Sequence, residues 1–90
     1  MKTQDNKKFI IDSIKKEEIF RRLKPVIVSA NEDRISVAMV SKGTGAVDYV
    51  LEFSIKYRFV IKYDCFDHLT SAYELEKLER IAHNIGKDVE

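Results

Sequence analysis

The chain is poor in several residue types that would otherwise define its class. Its 90 residues include one cysteine, one proline, three glycines and no tryptophan. A single cysteine excludes an internal disulfide, so the fold has to be held by a hydrophobic core, and this usage is typical of a reducing compartment. No apolar run is long enough to span a bilayer, which predicts a protein that does not insert into membranes.

Neither sign of charge dominates, but the charges are unevenly distributed. Lys and Arg number 16 against 15 Asp and Glu, a net charge of +1. Residues 1–30 hold eight basic and four acidic residues, whereas residues 64–90 hold three basic and seven acidic ones. Three interpretations remain open: the two ends pack together, two chains pair, or two helices of different charge face solvent.

The overall composition is that of an ordered domain. Hydrophobic residues make up 44% and charged residues 34%, which is unlike a disordered chain. We predict one domain over residues 1–90, frayed at 1–8 and 87–90, whose small core would gain stability from oligomerisation. Because the first eight residues are polar and no signal-peptide segment follows them, we expect a cytoplasmic protein.

A regular alternation of apolar and mostly polar residues is the strongest signal in the sequence. Every odd position from Val47 to Cys65 is apolar or aromatic. Side chains of a β-strand point to opposite faces in turn, so the pattern predicts a half-buried strand. Fully extended, it would span about 60 Å, roughly twice the diameter of a compact domain of this size.

A hairpin fits this segment less well than one strand does. A two-residue turn reverses the phase of the alternation, and the phase does not reverse. A three-residue loop keeps the phase but usually needs glycine, and the segment has no Gly, Pro or Asn; its weakest point is Ser54. We therefore expect one long, bent third strand, part of which pairs with a second copy in a homodimer.

The first half of the chain predicts a helix followed by two strands. The helix is expected from about Lys15 to Lys24 and is ended by Pro25, because the residue before a proline is disfavoured in the α conformation. The strands are expected to begin at residue 26 and to cover residues 35–41, and a glycine-containing loop leads into the long strand.

The second half ends in a well-marked helix. Ser71 and Glu74 form a capping box, and Gly86 is suited to end the helix. The predicted fold is therefore α+β: an antiparallel meander of three strands, or four if an extra strand forms near Phe9, with an unusually long third strand, flanked by an N-terminal and a C-terminal helix.

Residues capable of catalysis or metal binding form no recognisable motif. Cys65-x-x-His68 is a single ligand pair and His83 stands apart, whereas a structural zinc site normally has four ligands. Gly43-Thr44-Gly45 lacks the rest of a nucleotide-binding fingerprint and suits a turn between strands. We predict no catalytic residues, no metal and no cofactor, and a protein that is not an enzyme.

Two sets of residues are candidates for a binding surface. The basic set is Lys56, Arg58, Lys62, Arg21 and Arg22. Its first three members are predicted to share the polar face of the long strand, where they would contact phosphate or simply protect the strand from aggregation. The aromatic set, on the other face, is core if covered and a base-stacking or protein-anchoring surface if exposed: Tyr49, Phe53, Tyr57, Phe59 and Tyr63.

The lack of a catalytic, metal-binding or cofactor-binding motif favours a binding function. The leading hypothesis is a small non-enzymatic protein-binding module, such as an accessory or inhibitor protein of a phage or mobile element, that acts as a homodimer by occupying a partner protein. The alternative hypothesis is a nucleic-acid-binding module that uses a basic face of the sheet.

Overall fold

The fold is a four-stranded sheet with a helix at each end of the chain. The computed structural model describes residues 2–65 and 72–86. Its elements in chain order are α1 (Lys2–Lys16), a 3-10 helix (Glu18–Phe20), β1 (Leu23–Ala30), β2 (Arg34–Ser41), β3 (Val47–Ser54), β4 (Phe59–Cys65) and α2 (Ala72–Asn84). The strands form one open antiparallel sheet in the order β1-β2-β3-β4. This confirms the predicted α+β fold with an antiparallel sheet and a helix at each end. The fourth strand is β4, however, and the extra strand considered near Phe9 is wrong, because Phe9 lies in α1.

The prediction of one unusually long third strand is wrong. The segment forms two strands, β3 and β4, joined by a turn at residues 55–58. The amide of Arg58 donates to the carbonyl oxygen of Ser54 at 2.8 Å, and the amide of Tyr57 donates to the Ser54 hydroxyl at 3.3 Å. Arg58 has φ 57, the left-handed region where glycine is usual, so the lack of glycine did not prevent a turn.

The four-residue length of this turn decides which face of the sheet each apolar residue of β4 occupies. Ser54 pairs with Phe59 and Phe53 with Val60, so beside the turn the odd positions of β3 share a face with the even positions of β4, as far as the register shift between Val50 and Leu51. Leu51 and Phe53 therefore face the core, whereas Phe59 and Ile61 of β4 lie on the opposite face. An uninterrupted pattern supplies apolar side chains to both faces of the sheet.

Both helices pack on one face of the sheet, called the inner face below. The hydrophobic core lies between the helices and the sheet. Its described members come from α1, the 3-10 helix, β1, β2, β3 and α2, and Val60 of β4 packs against it half-buried. The buried core side chains are Ile10, Ile14, Phe20, Leu23, Ile35, Val37, Met39, Tyr49, Leu51, Phe53, Leu78, Ile81, Ala82 and Ile85.

The N-terminal helix lies earlier in the chain than the sequence predicted. It begins at Lys2, within the segment expected to fray, and buries Ile10 and Ile14, which are one turn apart. The chain after it forms the 3-10 helix and enters β1 at Leu23. Pro25 does not end a helix but lies in β1, an edge strand, where its missing N–H costs no ladder hydrogen bond.

The C-terminal helix agrees better with the prediction. Leu78 and Ala82 are buried along one side of α2, and Gly86 follows the helix with φ 81, as expected for a C-cap. Ser71 of the predicted capping box and residues 87–90 lie outside the described residues. No helix within residues 2–65 and 72–86 has the length and hydrophobicity needed to cross a membrane.

The uneven charges are partly explained by contacts between the two ends of the chain. The ammonium of Lys77 in α2 lies 3.5 Å from the Glu17 carboxylate, and the Arg22 guanidinium lies 3.3 Å from Glu74. The Arg22–Glu74 pair joins a basic residue of the basic end to an acidic residue of the acidic end, which supports the first of the three interpretations, whereas in the Lys77–Glu17 pair the charges are the other way round.

The backbone of Arg58 provides a test of the hairpin. A left-handed conformation costs a residue with a Cβ about 1–2 kcal/mol, and glycine avoids this cost while losing more entropy on folding. We expect Arg58→Gly to raise the free energy of unfolding by up to about 1 kcal/mol in urea titrations.

The matched control is Gly45→Ala in the β2–β3 loop. Gly45 has φ 77, and an added Cβ would meet no atom within 4 Å, so the substitution introduces backbone strain alone. It is expected to lower the free energy of unfolding by about 1 kcal/mol. A destabilised Arg58→Gly variant would contradict the turn described for residues 55–58.

Candidate binding surface

The sheet face opposite the helices, called the outer face, is the candidate site. Both helices of the described chain pack on the inner face, so neither covers it. Register pairs define it as four rows of side chains across the strands: Lys24, Val40 and Val47; Val26, Ala38 and Val50; Ser29, Ser36, Glu52 and Ile61; and Arg34, Ser54 and Phe59.

Apolar residues of this face form a continuous apolar band. Its members are Val26, Ala38, Val40, Val47, Val50, Phe59 and Ile61. Val26, Val47 and Phe59 are 40%, 36% and 41% exposed, whereas Val40, Val50 and Ile61 are half-buried and Ala38 is buried. Large apolar surfaces that remain exposed in a folded chain commonly mark an interaction site.

Glu52 places a carboxylate on the same face, and its charge is compensated within the chain. The residue is only 7% exposed. Its Oε1 accepts a hydrogen bond from the Arg34 guanidinium at 3.3 Å, and its Oε2 accepts one from the Ser36 hydroxyl at 3.3 Å. Because a buried charge is tolerated only when it is paired, Arg34 and Ser36 allow Glu52 to lie beside the apolar band.

The two edges of the sheet are protected against the addition of another strand. On β1, Pro25 lacks an N–H group, and the register shifts between Ile27 and Ser29. On β4, the amide of Val60 donates to Glu79 Oε1 of α2 at 3.1 Å. Proline, bulges and covering groups are common devices against edge pairing.

This geometry removes the basis of the predicted homodimer through a long strand. The strand folds back on itself instead of projecting, and the edge it would offer is occupied at Val60 by Glu79. A binding partner is better accommodated on the outer face than along either edge.

The five basic candidates are not brought together. Lys56 and Arg58 lie in the β3–β4 turn, not on a strand face, and Lys62 stands opposite Leu51 in β4. Arg21 and Arg22 precede β1, at the other end of the sheet, about 25 Å away by the length of a strand. The predicted shared face of Lys56, Arg58 and Lys62 is therefore wrong, and their role in binding stays a prediction.

Arg21 and Arg22 already contact acidic groups of the chain. Arg21 lies 3.8 Å from Glu18 on the surface, and Arg22 lies 3.3 Å from both Asp48 and Glu74. Arg22 therefore holds β1, β3 and α2 together, which is a structural role.

The aromatic candidates are divided between the two faces and the turn. Tyr49 and Phe53 belong to the core, whereas Tyr57 is 68% exposed, with its ring centroid 6.3 Å from that of Phe59. The Lys56 ammonium lies 5.4 Å from the centre of the Tyr57 ring. Residues 56–59 thus form an exposed aromatic and basic tip; the side chain of Tyr63 lies outside the described part.

The metal-ligand candidates do not assemble within the described residues. His83 is exposed in the last turn of α2, Cys65 ends β4, and His68 lies outside the described residues. Among the side chains that the structure describes, residues 3–61 and 73–86, no group of three or more His, Cys, Asp or Glu is placed to hold a metal ion.

A buried polar cluster fixes the start of α2 against the sheet. The Tyr49 hydroxyl donates to Glu74 Oε2 at 3.3 Å, and Arg22 donates to Glu74 Oε1 at the same distance. Burial, followed by the negative charge of Glu74, raises the pKa of Tyr49 well above its ordinary value. Tyr49 and Arg22 thus both bond Glu74, and the cluster has a structural role: it holds the start of α2 on the sheet.

Sequence reasoning missed the residues that define the outer face. Glu52 and Glu79 look like ordinary polar positions, and their partners are distant in the chain. A signal was present in Val26, Val50 and Phe59, but interpreting it requires knowing where the chain turns, since a one-residue change in register exchanges the two faces.

Comparisons with known proteins identify no relative of this chain. No protein-family model, no curated protein and no solved structure matches it. The binding surface is therefore argued from its own geometry.

The buried cluster predicts a pH-dependent loss of stability that depends on Tyr49. Removing its hydroxyl in Tyr49→Phe should cost about 1–2 kcal/mol near neutral pH. Above about pH 10 the unfolded chain releases the tyrosine proton while folded Tyr49 keeps it, so the free energy of unfolding falls as pH rises. Denaturant titrations should show the gap between wild type and Tyr49→Phe narrowing above that pH; a constant gap would contradict the assignment.

Glu79 is predicted to protect the β4 edge. Glu79→Ala should expose the Val60 amide, accelerate its hydrogen exchange and increase aggregation, because an unpaired edge recruits other strands. Glu76→Ala is the matched control, since Glu76 contacts only exposed Arg80 among the described contacts. Equal Val60 exchange in both variants, followed by NMR, would rule out this protective role.

Proposed function

We propose that this chain is a non-enzymatic protein-binding module that docks its partner on the outer face. The observation that carries the proposal is the apolar band, exposed at Val26, Val47 and Phe59, on a sheet whose two edges are protected. Association driven by such a surface requires removal of apolar area from water, worth about 25 cal/mol per Å² before the costs of binding.

The site favours a partner surface of particular chemistry. Val26, Val40, Val47 and Val50 are short and β-branched, so they offer a flat surface and no deep pocket for a small molecule. A second sheet or the apolar side of a helix fits such a surface. Action in the cytoplasm, as an accessory or inhibitor protein of a phage or mobile element that occupies a partner, remains part of this proposal.

A nucleic-acid-binding role is the second candidate, and the exposed tip favours it. Exposed aromatic rings beside Lys56 and Arg58 resemble the stacking and phosphate contacts that single strands need. Acidic residues lie next to the tip, however: the Ile55 amide donates to the Asp33 carbonyl oxygen at 2.8 Å, and Glu32 lines the same depression as Lys56. These carboxylates oppose phosphate binding, so the outer face is the stronger candidate.

Site-specific photo-crosslinking tests both candidates in one experiment. A photoreactive residue would replace Val26 on the outer face, Tyr57 at the tip or Tyr73 on α2, in the cells that naturally produce the chain. Tyr73 is the matched control because it is 63% exposed on the helix side. Adducts would be identified by mass spectrometry.

The position of the adducts separates the two functions. Docking on the outer face predicts protein adducts from position 26 and few from position 73. Nucleic-acid adducts from position 57, without protein adducts from position 26, would support the alternative and overturn the proposal.

A further inference from the structure

We propose that the occupant of the outer face is a second copy of this chain, packed face to face about a two-fold axis. The dimer would be a sandwich of two sheets with the helices of each copy on the outside. This inference rests on the proposed docking role of the outer face and names the partner.

The area of the face is sufficient for a specific dimer. Strands of seven or eight residues and four strands side by side give a face of about 26 Å by 19 Å. Two such faces cover about 1,000 Å² in projection. Specific interfaces bury about 1,000 Å² or more in total, so the whole face is needed and is large enough.

The shape of the face suits a copy of itself. One of the two middle rows is Val26, Ala38 and Val50, of which Ala38 is buried, and the row beside it contains Val40 and Val47 together with Lys24 on the edge strand. Small and β-branched side chains of this kind let two sheets approach to about 10 Å and interdigitate.

The charges of the face also permit self-association. In a two-fold dimer, residues near the axis meet their own copies, so an uncompensated charge there would be repelled by itself. Of the two middle rows, one is apolar (Val26, Ala38 and Val50) and the other contains Glu52, which is already paired with Arg34 and Ser36 of its own chain. Lys24 lies on edge strand β1, away from the centre of the sheet.

The first test measures the mass of the chain in solution and how it depends on the outer face. Sedimentation equilibrium of the full chain at up to about 100 µM, above the micromolar constants of weak interfaces of this size, should show a dimer. Val26→Lys with Val47→Lys should raise the dissociation constant about 100-fold, a tenfold effect for each of the two substituted positions. Tyr73→Lys on the helix side should leave it unchanged, and circular dichroism should show that all variants stay folded.

A monomeric wild type, or a dimer that both lysine substitutions leave intact, would overturn the inference. If the double variant unfolds, the wild type still decides: filtered NOE spectra of mixed labelled and unlabelled chains should show contacts between copies among the methyls of Val26, Val47 and Val50. Contacts only through α2, or none, would overturn it.

The two experiments distinguish a failure of the dimer from a failure of the proposed function. A monomer whose position 26 crosslinks a different protein overturns the dimer alone. A monomer without protein adducts at position 26 overturns both.

Discussion

The chain reversal at residues 55–58 is the constraint on which the rest of the structure depends. Two hydrogen bonds to Ser54 close the turn, and Arg58 adopts a left-handed backbone to complete it. Without this reversal β4 would not pair with β3, and the sheet would have three strands and a projecting arm. With it, the sheet gains a fourth strand, α2 packs beside β4, and the molecule keeps a radius of gyration of 12.2 Å.

The same turn determines the chemistry of both faces of the sheet. Its four residues pair Phe59 with Ser54 and Ile61 with Glu52, so Phe59 and Ile61 lie on the face opposite the core residues Leu51 and Phe53. They join the valines of β1, β2 and β3 to make an apolar outer face. The surface we interpret as the binding site is thus a geometric consequence of how the chain reverses, and no catalytic or ligand-binding motif is needed to create it.

Three glutamates stabilise this arrangement in places where the sequence alone shows only charge. Glu74 anchors α2 to Tyr49 and Arg22, Glu79 occupies the Val60 amide at the sheet edge, and Glu52 is paired on the outer face. Each acts through a partner at least sixteen residues away in the chain. Local patterns cannot reveal such contacts, because they carry no information on which distant elements become neighbours.

The sequence by itself determined the α+β class, the meander, the C-terminal helix and its Gly86 cap, since hydrophobic periodicity and capping are local properties. The sequence misplaced the first helix because the charged residues after Ile14 predicted a helix more strongly than the apolar pair Ile10 and Ile14 did. Only the tertiary structure decided that Val47–Cys65 is a hairpin and which residues face outward. The physical reason lies in strand geometry. Alternation specifies that successive residues of a strand point to opposite faces, but only the register of strand pairing specifies which face is the core.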